Sequence, residues 1–173
     1  MAGNEKADNE KPALSALDRA AYLIATGAGV GFAPVAPGTF GAIEALAIFI
    51  ATSAWMAGNT RAHLLLLISL NLVLFAVGVW SATRACRISE LEDPSQVVID
   101  EVSGQLIALT PVALAPSVLG VIIAFVLFRL FDIFKPYPIR KLERLRAGWG
   151  VMSDDGLAGL YAAALVGLAL WLR

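Results

Sequence analysis

Apolar residues fall in four long uncharged runs, 45–60, 64–83, 102–128 and 156–172, and the short segments between them hold most of the charge. A bilayer span needs about 20 mostly apolar residues. The pattern therefore predicts an all-α fold, a polytopic integral membrane helical bundle, in place of strands or a soluble core. Residues 1–12 are polar and contain no apolar run. They give no sign of a cleavable secretory signal, so the first membrane helix is expected to direct insertion. Residues 1–13 are read as a disordered polar tail and residues 14–173 as one domain.

Charge placement sets the topology. If the third run crossed once, Arg129, Lys135, Arg140, Lys141, Arg144 and Arg146 would lie outside with Arg61, seven of the 13 Lys and Arg residues. That opposes the tendency of basic residues to stay inside. A reversal near residues 114–116, where Pro111 and Pro116 discourage an unbroken helix, leaves only Arg61 and Arg173 outside. The chain is thus predicted to have about five membrane helices, including a helical hairpin. Residues 102–113 number only 12, about 18 Å at 1.5 Å per residue. To cross about 30 Å of hydrocarbon, the inbound arm must start near Val97 and the outbound arm must run from about Ser117 to Phe134.

Composition narrows the function classes. Hydrophobic residues make up 58% of the chain, and the mean hydropathy is +0.75. A formal net charge of −1 gives no broad basic surface for nucleic acid. The single cysteine, Cys86, excludes an internal disulfide.

Against this apolar background five acids stand at the edges of the runs: Asp100, Glu101, Asp132, Asp154 and Asp155. Carboxylates beside lipid persist when they bind a cation, pair with a base or line a polar path. The hairpin would bring all five to one rim. Arg129 and Asp132, at i and i+3, share a helix face, and Lys135-Pro136 marks a helix end. Each cluster also has a bland explanation: a boundary ion pair, acids favoured by a helix dipole at 100–101, and an N-cap with a first-turn acid at 154–155. Three clusters at one depth weigh against coincidence. Mg²⁺ takes hard oxygen ligands and commonly combines one or two carboxylates with substrate phosphates, while Arg and Lys neutralise the remaining phosphate charge.

The segment GAGVGFAPVAPGTFG at 27–41 is a Gly/Pro-rich loop before the first membrane helix. No strand precedes it and the G-x-G-x-x-G spacing fails at Phe32, which rejects a dinucleotide loop. Thr39 is expected to cap that helix, with Gly38 and Thr39 leaving amides that could hold an anion. Close helix packing through small residues explains the glycines equally well. Glu44, one turn in, is read either as a sixth site acid or as a rim acid paired with Arg19.

Four motifs in series, PVAPGTFG at 34–41, VIDEVSG at 98–104, FRLFDIFKPYPI at 128–139 and GWGVMSDDGLAG at 148–159, resemble the bacterial phosphatidylglycerophosphatase A family. The resemblance covers residues 21–172. It implies a Mg²⁺-dependent phosphatase of the bacterial cytoplasmic (inner) membrane, with its active site facing the cytoplasm. Its reaction would convert the phospholipid phosphatidylglycerophosphate to phosphatidylglycerol and inorganic phosphate. By position, Asp100, Glu101, Asp132, Asp154 and Asp155 match the family's acids, and Arg129 and Lys135 its bases. The roles that follow are metal ligation by Asp100, Glu101, Asp154 and Asp155, with Asp132 either a fifth ligand or the base, and catalysis by Asp132, Asp100 and Asp155. Arg129, Lys135, Thr39 and Gly38 are left to contact phosphate. Ala42, Glu44 and Ser153 depart from the family pattern.

Elimination agrees. Cys86 lacks an Arg six positions later, where Glu92 stands, and His63, the one histidine, falls in an external loop. Water activated beside a carboxylate-held metal remains, with an aspartyl nucleophile as the other possibility. The competing class is a small ion- or proton-coupled transporter or channel subunit. It predicts ionisable groups through the depth of the membrane, whereas the middles of these runs hold none.

Overall fold

The computed structural model describes residues 14–56 and 58–172, so the tail expectation for residues 1–13 lies outside the described residues. Every regular element in those residues is helical. Three helices are long and apolar enough to cross a membrane: α2 (Pro37–Trp55), α3 (Thr60–Ser89) and α7 (Gly148–Trp171). Their apolar side chains face outward as well as inward, with Ile50, Leu72 and Leu168 all exposed. A helix hydrophobic all round is suited to lipid.

The hairpin is formed by α4 (Ile99–Leu109), a 3-10 turn at Thr110–Ala113, and α5 (Val118–Phe134). Pro111 opens the 3-10 turn, and Ser117 caps α5 by accepting the Gly120 N–H at 3.0 Å. Gly104 lies against Phe128 and Gly120 against Val112, the pairing of two antiparallel arms folded about residues 114–117. The inbound arm starts at Ile99, not Val97. The Val98 N–H bonds the Ala25 carbonyl at 2.9 Å and the Val97 N–H bonds Pro94 at 2.9 Å, so residues 94–98 form a turn pinned to the end of another helix. At 11 and 17 residues, α4 and α5 are shorter than the three long helices.

The helix that pins this turn is α1 (Ala16–Ala25), which the charge-free runs do not reveal. Ser15 caps it, and Arg84 of α3 binds Asp18 at 2.6 Å. Hydrogen bonds from Ser15 and Arg84 hold the Asp18 carboxyl below the usual carboxylate range. Past the hairpin, α6 (Ile139–Leu142) lasts a single turn.

Short as it is, α4 is the hub: α7, α2, α3 and α5 all pack on it. Val102, Leu106, Ala108 and Leu109 are buried there. The closest approach is to α7, where a Cβ on Gly159 would collide with the Gly104 backbone and a Cβ on Gly104 would meet the Asp155 carbonyl. Two bare glycines let these helix backbones touch, as small residues do between membrane helices. This crossing fixes the distance between the acids of α4 and those of α7.

Candidate functional site: a carboxylate cluster with flanking bases

Asp100 and Glu101 occupy the first turn of α4, where the positive end of the helix dipole favours acids. Asp154 and Asp155 belong to α7, which begins at Gly148. They stand well inside the helix and not at its start, so neither is an N-cap or first-turn acid. Gly148 carries the helix past this point because its bare Cα fits against the Val79 carbonyl and Thr83 of α3. With capping removed as a reason for them, these are helix-interior carboxylates, 5% and 3% exposed.

One carboxylate oxygen from each of Asp100, Glu101 and Asp155 lies within 4.8 Å of the others. Asp132, from the last turns of α5, stands beside Asp155 and Glu101 and pairs with Arg129 at 2.6 Å. Lys135 caps α5 in a left-handed conformation. That geometry turns its ammonium back to Asp154 at 2.6 Å and Glu143 at 2.7 Å. Burial works against the Lys135 charge, but these two hydrogen bonds outweigh it and raise the ammonium well above the usual lysine range.

All five predicted acids and both predicted bases line one cavity of about 360 Å³. Asp93 and Ser95 of the α3–α4 loop line it too. Sequence reasoning missed them because residues 92–96 around them are polar or Pro, and no apolar run makes their acids conspicuous. Asp93 also lines a neighbouring cavity of about 320 Å³ with Arg144 and Arg146, and Asp154 and Val151 form part of both walls.

Gly38 and Thr39 part company. A Cβ on Gly38 would overlap Glu101 Oε1 and come 3.2 Å from the Arg129 guanidinium, so glycine is what allows α2 to begin directly over the site. Thr39 does not cap α2. Ala36, left-handed at φ 49°, is the N-cap, Pro37 opens the helix and the Thr39 amide bonds Ala36 at 2.9 Å. Thr39 is not among the residues that line the cavity. Glu44 pairs with neither the site nor Arg19 among the described residues; its Oε2 is unpartnered and lies over Gly27.

Six carboxylates face two bases in this cavity, and buried like charges repel strongly unless a counter-ion or protons intervene. Asp100 Oδ1, Glu101 Oε2, Asp154 Oδ1 and Asp155 Oδ2 are buried without hydrogen-bond partners in the protein. An all-oxygen donor set with free lone pairs fits a hard divalent cation. Asp100, Glu101 and Asp155 form a carboxylate group able to hold a metal ion.

Other nucleophiles are elsewhere. Cys86 is buried with its thiol donating to the Glu92 carbonyl at 3.1 Å. His63 bonds Thr52 at 3.1 Å and sits with Ala113 and Pro116, by the hairpin tip at the far end of α4.

The profile of the Phosphatidylglycerophosphatase A family matches residues 23–170. The chain belongs to that family. A Phosphatidylglycerophosphatase A of Haemophilus influenzae is 31% identical, covering 84% of this chain and 85% of its own length. The Escherichia coli protein of the same name is 31% identical, covering 84% and 80%. A Bacteroides thetaiotaomicron protein described as a candidate phosphatidylinositol-3-phosphatase is 43% identical, covering 86% and 92%. No solved structure matches the chain. As a Phosphatidylglycerophosphatase A family member the chain is a phosphatase, and its apolar helices associate it with the membrane.

Proposed function

We propose that this family member hydrolyses the terminal phosphomonoester of phosphatidylglycerophosphate, giving phosphatidylglycerol and inorganic phosphate, at the cytoplasmic rim of the bacterial inner membrane. The observation that carries the reading is the meeting of Asp100, Glu101 and Asp155 within 4.8 Å, in a cavity that also holds Arg129 and Lys135. Asp100, Glu101 and Asp155, with Asp154 beside them, would hold Mg²⁺, which would supply the Lewis acidity that polarises a phosphoryl group and activates water.

The chain's own residues supply the rest. Arg129 and Lys135 neutralise charge on the phosphoryl oxygens as it develops. Asp132, beside Asp155, takes the proton of the attacking water. The new P–O bond forms to that water, the ester P–O bond breaks, and Asp132 returns the proton it took to the departing lipid alkoxide, which leaves as the alcohol. Gly38, having no side chain, lets the start of α2 pack directly against the Glu101 carboxylate and the Arg129 guanidinium, which brings its backbone to the edge of the phosphate site. In this reading the two hairpin arms also cross, making five membrane helices. A rim site reaches a headgroup phosphate while the acyl chains stay in hydrocarbon, and exposed Phe134, Tyr137 and Trp149 suit that depth as interfacial aromatics.

The 43% identity to a candidate phosphatidylinositol-3-phosphatase favours a second substrate, phosphatidylinositol 3-phosphate. Both lipids carry a phosphomonoester on a polyol headgroup. Phosphate release from each lipid in detergent micelles, with Mg²⁺ or with EDTA, separates them. Hydrolysis of phosphatidylglycerophosphate that needs Mg²⁺ is expected, with at least about 100-fold loss in folded Asp100→Asn and Asp155→Asn proteins. Full activity in either variant defeats the assignment.

A further inference from the structure

The cavity that holds the acids has two unlike sides. Asp93 and Ser95 form one, and across Asp93 and Asp154 it adjoins the second cavity with Arg144 and Arg146, a charged approach from water. Pro37 and Ile133 line the cavity as well. Ile133 is 66% exposed, whereas Val97 and Val151, also in the wall, are buried. Ile133 therefore stands at an apolar mouth, in the last turn of α5.

It is also the end of a stripe. Leu119, Ile122, Val126, Leu130 and Ile133 recur at intervals of three and four and are all exposed, so they share the outward face of α5. The opposite face buries Gly120, Ala124 and Phe128. The helices that flank the mouth, α2 and α5, each pack on α4, and among the described residues they do not pack along each other. An apolar track thus runs from the hairpin tip up to the cavity. Arg129 stands one turn before Ile133 on α5 and lines the same cavity, which sets a positive charge beside the upper end of that track. This order of charge and apolar surface matches a phospholipid, an anionic head joined to acyl chains.

We propose that the side of the cavity formed by Pro37 and Ile133 is a lateral doorway for a phosphomonoester lipid: the phosphate passes inward to Arg129 while one acyl chain lies along the α5 stripe from Ile133 to Val126. The proposal deepens the phosphatase reading above and rests on it. A chain carried through the charged approach would keep its apolar surface in water, which is unfavourable in proportion to its area.

The test compares dioleoyl phosphatidylglycerophosphate in detergent with its deacylated, water-soluble headgroup, which carries the same phosphates and no chains. The proteins are the full-length parent, Ile133→Asn, Ile133→Leu and, as a control on the exposed face of α3, Leu72→Asn. An apolar contact made equally in the bound and transition states shows in KM alone. Ile133→Asn should therefore raise KM for the dioleoyl lipid about tenfold, leaving its kcat and both constants for the headgroup as in the parent. Ile133→Leu and Leu72→Asn should match the parent on both substrates. In the parent itself, a dioleoyl lipid with a photoactivatable diazirine near the glycerol end of one chain should label α5 between Val126 and Ile133. Unlabelled phosphatidylglycerophosphate should remove that label and phosphatidylcholine should not. The label decides where a variant fails to fold. An unchanged KM for the dioleoyl lipid in Ile133→Asn, an equal rise for the headgroup or in Leu72→Asn, or a label that phosphatidylcholine removes equally overturns the doorway. So does a stripe shielded from the label by a second copy of the chain. A parent that hydrolyses neither substrate overturns the phosphatase reading, and the doorway with it.

Discussion

Gly159→Ala tests whether the glycine crossing of α4 and α7 sets the site. An ideal Cβ at Gly159 would overlap the Gly104 carbonyl oxygen and stand 3.0 and 3.1 Å from its carbonyl carbon and Cα. All three are backbone atoms, so no rotamer change relieves the contact. Carbon–oxygen contacts settle at about 3.3–3.6 Å, so α7 must withdraw by about 1 Å. Overpacking of this kind costs about 1–3 kcal/mol, and alanine in a helix interior returns about 0.5–1 kcal/mol. A net loss of about 1 kcal/mol follows, visible as a drop of a few degrees in Tm. Activity should suffer more, because a displacement of about 1 Å at a reacting centre can lower the rate about 100-fold. Gly156→Ala is the control: it neighbours Asp155, yet its Cβ would meet only Phe75, at an ordinary 3.6 Å. The assay is Mg²⁺-dependent phosphate release beside thermal unfolding in the same detergent. Parent-like activity in Gly159→Ala, or equal damage in Gly156→Ala, would refute the argument.

Lys135→Met strands Asp154, whose side chain is 7% exposed, and should destabilise the protein by about 3 kcal/mol. Adding Asp154→Asn should restore the Tm but not phosphate release. Single cysteines at Ala115 and Lys141 should react with an impermeant thiol reagent from opposite sides of the membrane; labelling from the same side would remove the hairpin. The Asp18 carboxyl is depressed in the folded protein, so its contribution is present above the unfolded value of about 3.9 and is lost as pH falls through the lower folded value. Cleavage near α1 in limited proteolysis should therefore rise on acidification below about pH 4 in the parent, and Asp18→Asn should flatten that dependence.

Much of the site was legible because charge inside an apolar run is conspicuous. Arg129 and Asp132 are three apart on one helix and meet as that spacing requires, at 2.6 Å. Pro111 and Pro116, with an arm too short to span alone, gave away the fold-back. What stayed hidden follows from the same physics. Asp154 and Asp155 read as an N-cap and first-turn acid, yet α7 begins earlier, at Gly148, because the bare Cα atoms of Gly148 and Gly150 fit against neighbouring backbone. The ten residues of α1 are too few and too mixed to register as a span. Thr39 has the chemistry of a cap, but the backbone reversal at Ala36 and the ring of Pro37 place the helix start ahead of it.

Since α4 carries Asp100 and Glu101 and is also the helix that α7, α2, α3 and α5 lean on, its scaffold duty and its chemical duty share the same eleven residues. An exhaustive substitution scan should then find no zone of neutral drift between Ile99 and Leu109, while the lipid-facing sides of α3 and α5 tolerate exchange among greasy residues. The protein's adaptable surface is its periphery; the spindle at its centre is where evolution has least room to turn.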